Sequence, residues 1–220
     1  MTIFEKFSLI ENPINQTPMA KYMRNQFPFA GLKAPERKQQ SHDLIQASKK
    51  LRISEILSGV TQLYQRPQRE YQYVAIDMCV ANVRRLSFAD ITHLTRYITE
   101  KSWWDTVDTW RKVFGLYIMR HPEQKQAVFA LFYQNANMWM RRVSIILQLT
   151  EKETLDTLLL TKAIENDLNT DEFFIQKAIG WALRNYSKMD PEWVKRFIQT
   201  HQLSKLARHE GAKYLTGVSN

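Results

Sequence analysis

The chain has one cysteine, six glycines and seven prolines in 220 residues. One cysteine excludes a disulfide framework and a cysteine-built zinc site. Cys79 lies in the apolar run 74–80 and reads as a small buried hydrophobe rather than a nucleophile. So little glycine and proline excludes a turn-rich β-sandwich, and neither a glycine-rich phosphate loop nor a nucleophile elbow is present. Long apolar runs are also missing. The longest charge-free stretch, residues 126–140, contains Gln and Asn and is too short and polar to span a membrane. The apolar start of the chain is interrupted by Glu5 and Glu11, unlike a signal peptide. His42, His93, His121, His201 and His209 show no metal-ligand spacing. These absences predict a soluble, cytoplasmic protein with no metal and no cofactor.

What is present is positive charge and apolar surface. Thirty-one Lys and Arg against 22 Asp and Glu give a net charge of +9, which suits a polyanionic partner. Residues 1–110 carry 15 basic and 11 acidic side chains, and residues 111–220 carry 16 and 11. There is no basic tail, so any basic patch must be assembled by folding. With 44% apolar and 12% aromatic residues, the chain can bury a sizeable core.

Nearly every segment has helical period and helix punctuation. Asp190-Pro191 sets an N-cap before a proline at the first helical position. Ser87 with Asp90 has the spacing of a capping box, and Ala34-Pro35 and Pro67 open further helices. Sustained period-two alternation is absent, so no sheet is expected. Aromatics near helix starts, Tyr71, Trp103, Trp139 and Phe173, are 32, 36 and 34 residues apart. Two helices and their turns need about that length. The predicted architecture is an all-α solenoid of about a dozen helices, curved, with a basic concave face. A single domain is expected over residues 1–220. Residues 1–30 would form N-terminal helices, 31–216 paired repeats and 217–220 a tail. A short helix over residues 15–27 would place Lys21 and Arg24 on one face.

In a solenoid, one helix from each repeat lines the concave side. Along residues 103–119, Trp103, Val107, Trp110 and Phe114 form a core stripe, while Trp104 and Asp108 share a different face. Along 137–149, Trp139, Val143 and Ile146 form the core stripe and Arg142 projects beside it. Along 172–186, Phe174, Ala178 and Trp181 form a second stripe flanked by Lys177 and Arg184. Three successive helices thus offer aromatic walls and cations around one acid.

KSWWDTVD (101–108), NMWMRR (137–142) and EFFIQKAIGWALRNY (172–186) resemble the AlkD family of HEAT-like-repeat DNA glycosylases. MAKYMRNQFPFAGLKAPERK (19–38) and REYQYVAIDM (69–78) are similar to its N-terminal repeats. The resemblance implies excision of cationic alkylpurines, 3-methyladenine and 7-methylguanine, from duplex DNA without base flipping. It implies Asp108 as the catalytic aspartate and Trp104 and Trp181 as the active-site indoles. Arg142, Arg184, Lys177, Tyr22 and Lys38 are implied as DNA contacts. Three features depart from the family pattern: a shorter segment before MAKYM, Lys33-Ala34 in place of a polar pair, and Thr150 where a lysine often follows the Arg142 helix. They keep a second possibility open, a DNA-binding paralogue with weak or no excision. A monomer on double-stranded DNA is expected, and no membrane partner.

The chemistry fits those residues. A cationic alkylpurine departs as a neutral molecule and needs no general acid. One carboxylate then suffices to stabilise the developing sugar cation and orient water.

Overall fold

The computed structural model describes residues 2–215; the expected tail, 217–220, lies outside them. The described residues contain helices and no strand. The chain divides into two compact units, Met1–Leu86 and Ser87–Asn220.

The first unit contains α1 (Ile3–Lys6), α2 (Pro13–Tyr22), α3 (Ala34–Ser48), α4 (Ile53–Gln65) and α5 (Arg69–Asn82). Ile56, Val60 and Leu63 recur along one face of α4 and are fully buried, as are Val74, Ile76 and Met78 of α5. Cys79 is buried with them, and burial pushes its thiol far above the usual range, so it is inert as a nucleophile. Pro67 does not open α5, which starts two residues later at Arg69. The Glu70 carboxylate, fully buried, accepts hydrogen bonds from the amides of Ala30 (2.8 Å), Gly31 (2.9 Å) and Leu32 (3.0 Å). It thereby fastens the segment before α3 onto α5. Gly31 is required there: φ is +85°, and a Cβ would lie 2.0 Å from the Asn12 carbonyl oxygen.

The N-terminal helix differs from expectation. It starts at Pro13 and stops at Tyr22, not at residue 27. Arg24 and Asn25 take left-handed backbone angles, φ 55° and 56°. The Asn25 amide bonds back to the Ala20 carbonyl (2.8 Å) and the Arg24 amide to that of Lys21 (3.0 Å). These two bonds make a Schellman motif with arginine where glycine is usual. Arg24 is therefore off the helix and shares no helical face with Lys21.

The second unit contains α6 (Phe88–Leu94), α7 (Arg96–Thr99), α8 (Trp104–Ile118), α9 (Lys125–Ala130), α10 (Met138–Ile146), α11 (Thr157–Asn166), α12 (Phe173–Tyr186), α13 (Pro191–Thr200) and α14 (Lys205–Gly211). Side-chain caps set several of its helix starts. Ser87 and Asp90 form the reciprocal capping box of α6, and the Asp190 carboxylate accepts from the Trp193 amide at the start of α13. Helix α8 packs on α10, α10 on α12 and α12 on α14. Every second helix thus meets its equivalent in the next repeat, which is the stacking of an α-solenoid. Val107, Trp110 and Phe114 are fully buried along α8, and Trp110 stacks on Tyr97 at 5.4 Å. Trp103 is not part of that helical stripe: its backbone is extended and it precedes α8.

Candidate active site

The first turns of α8, α10 and α12 are pinned by aromatic contact. Trp103 meets Trp139 with ring centroids 6.0 Å apart and Phe174 at 5.2 Å, while Trp139 and Phe174 lie 5.0 Å apart. The aromatics near the starts of these three repeats therefore converge. Their packing fixes where the next turns of the three helices sit.

One turn into α8 is Asp108, and on α10 is Arg142. The Arg142 guanidinium grips the carboxylate with both prongs, Nε to Oδ1 and Nη2 to Oδ2, each at 2.8 Å. Its Nη1 donates to the Phe174 carbonyl oxygen at the start of α12. All three guanidinium nitrogens are used, and the Arg142 side chain is only 6% exposed against 17% for Asp108. Three successive repeats are thus tied through one arginine. Bidentate pairing of this kind fixes orientation as well as charge. Asp108 was expected to share a face with Trp104, and Trp104 stands at the start of the same helix, partly exposed. The resemblance implies Arg142 as a DNA contact; the structure shows that it also holds the acid.

Arg111, three residues after Asp108, was not anticipated. It is 9% exposed, and its Nε and Nη1 are buried with no hydrogen-bond partner. Burial pulls its pKa down against the attraction of Asp108. Nothing in the helical period marks such a residue: an arginine beside the core stripe reads as a solvated one.

Lys177 and Arg184, from α12, come together through an acid the sequence did not reveal. Glu210 of α14 accepts from Lys177 Nζ (2.9 Å), Arg184 Nη1 (2.6 Å) and Lys213 Nζ (3.0 Å). The hydrogen bond from Lys177, with that from Lys213, holds the Glu210 carboxyl down at about 2. Trp181 lies between Lys177 and Arg184 along α12 and is partly exposed. Tyr22 and Lys38 belong to the first unit, on α2 and α3, and both are exposed. Tyr22, 71% exposed, borders an apolar cleft of about 280 Å³ also lined by Phe29, Lys33 and Tyr73.

Among the described residues no cluster of His, Cys, Asp or Glu could hold a metal ion, and no helix is long and apolar enough to cross a membrane. What the second unit offers chemically is one oriented carboxylate, partly exposed indoles on α8 and α12 and a separate group of cations.

A family model described as DNA alkylation repair enzyme matches residues 3–215. A solved structure described as a predicted DNA alkylation repair enzyme from Enterococcus faecalis is 44% identical, with a TM-score of 0.95. That match covers 96% of this chain and 100% of the other. No curated protein matches.

Proposed function

Because the chain belongs to the DNA alkylation repair enzyme family, we propose that it is a monofunctional DNA glycosylase. Its substrates are cationic alkylated purines, 3-methyladenine and 7-methylguanine, in duplex DNA. The observation that carries this reading is the Asp108 carboxylate, held by both prongs of Arg142 at 2.8 Å on a helix that opens with Trp104.

The step is hydrolysis of the N-glycosidic bond. As that bond breaks, its electron pair leaves with the purine, which becomes neutral, and positive charge grows on the deoxyribose. Asp108 faces that charge and orients the water that adds to the sugar; the water's proton is released. Trp104 and Trp181 hold the cationic nucleotide against their π faces, at about 0.5–2 kcal/mol each. Lys177, Arg184, Tyr22 and Lys38 contact the DNA. Arg142 keeps the carboxylate in one orientation with three of its five N–H donors, and the two that are left are free for a phosphate oxygen.

The test is incubation of methylated genomic DNA with the protein and measurement of released methylpurines. Release of 7-methylguanine and 3-methyladenine supports the proposal. Salt-sensitive retention of DNA without release identifies a DNA-binding paralogue instead.

A further inference from the structure

Helix α14 lies unusually close to α12. A Cβ built on Gly180 would fall 2.4 Å from the Glu210 Cβ and 3.1 Å from the Ala207 carbonyl oxygen, so only glycine admits this approach. The approach buries the Glu210 side chain to 12% exposure under three cations that stay more open: Lys177 at 40%, Arg184 at 27% and Lys213 at 42%. Lys177 binds one carboxylate oxygen, while Arg184 and Lys213 bind the other. Among the described residues no second carboxylate bonds any of the three.

One acid against three bases leaves two positive charges without an acidic partner. Fastening α14 to α12 needs only one of these ion pairs. The others add repulsion between cations held within reach of one carboxylate. Each lysine ammonium has three N–H donors and spends one on Glu210, and Arg184 also keeps donors unspent. Such an array of fixed, half-exposed donors with surplus positive charge suits a ligand carrying several anionic oxygens along its length. The phosphodiester backbone is that ligand.

We propose that Glu210 is a positioning residue that gathers Lys177, Arg184 and Lys213 into a clamp for the phosphodiester backbone of duplex DNA. Lys213, beyond the end of α14, is a third contact in it. The clamp rests on the DNA-binding part of the reading above and is independent of excision.

The experiment is fluorescence anisotropy of an undamaged duplex over a series of salt concentrations, with the full chain. Removing one cation from a phosphate lowers the slope of log affinity against log salt by about 0.9. Lys213→Ala is expected to show that decrease, Lys177→Ala with Lys213→Ala twice as much, and Lys213→Arg to keep the parent slope. Glu210→Gln is expected to bind several-fold more weakly than the parent at about 0.2 M salt, where charges beyond about 8 Å are screened. It does so despite gaining one positive charge. Tighter binding by Glu210→Gln overturns the positioning role. An unchanged slope in Lys213→Ala, with a lower melting temperature, means the cluster only fastens α14 and overturns the clamp. A parent with no salt-dependent binding overturns the DNA reading first, and is recognised because it has no slope to compare.

Discussion

At the residue scale, Asp108 is the acid that the proposed chemistry depends on. Asp108→Asn keeps shape and some hydrogen bonding with Arg142 but removes the negative charge that a sugar cation needs. Excision of 7-methylguanine is expected to fall by about 10²-fold or more, about 3 kcal/mol of transition-state stabilisation. Duplex binding is expected to persist. Single-turnover release from methylated DNA measures the first and anisotropy the second; near-parental release removes Asp108 from its role. The arginine beside it shows how far sequence reaches. The motif put Asp108 and Arg142 in neighbouring repeats, yet their mutual grip depends on the register of α8 against α10. The Trp103, Trp139 and Phe174 contacts set that register. Glu70 and Glu210 were illegible for a different reason. A single glutamate in a helical segment reads as a solvated residue, and only the backbone amides or cations brought to it from elsewhere make it buried.

At the element scale, most helices were legible because their starts carry chemistry: the Ser87 and Asp90 box, the Asp190 cap and the proline of Ala34-Pro35 all do what their types dictate. The end of α2 was not, because Arg24 occupies a left-handed position that carries no glycine to announce it. That position costs about 1 kcal/mol for a residue with a side chain. Arg24→Gly is therefore expected to raise unfolding free energy by about 0.5–1 kcal/mol, part of the gain being offset by the looser unfolded chain. Urea denaturation checks it, and a loss of stability contradicts the Schellman assignment. The seat of α14 supplies a pH test. The Glu210 carboxyl is lowered from 4.5 to about 2 in the folded protein. Its contribution is fully present above pH 4.5 and is lost as pH falls towards 2. Melting temperatures of the parent should include a decline over that window that Glu210→Gln lacks; identical acid profiles for the two proteins would mean that the three cations do not stabilise the fold through this carboxylate.

At the scale of the whole molecule, the net charge of +9 draws the protein to polyanions, but several of its cations are already committed. Lys125 is held by Glu151 at 2.9 Å, Arg141 by Asp167 at 2.9 Å and Arg142 by Asp108 at 2.8 Å. The last pair has a consequence for how DNA arrives. A bare carboxylate at the centre of the site would repel each incoming phosphate. Clasped by Arg142, and with the buried Arg111 guanidinium also attracted to it, Asp108 presents no net negative charge to its surroundings. An approaching duplex therefore meets no bare negative charge at the place where the proposed chemistry needs an anion. Arg142→Gln removes the clasp and one positive charge beside Asp108, so its affinity for undamaged duplex should drop most at low salt and recover towards the parent as salt rises. A defect equal at every salt concentration would locate the fault in a direct contact instead. In the proposed reaction, the negative charge is screened from the phosphates outside and acts at close range on the sugar cation that forms against it.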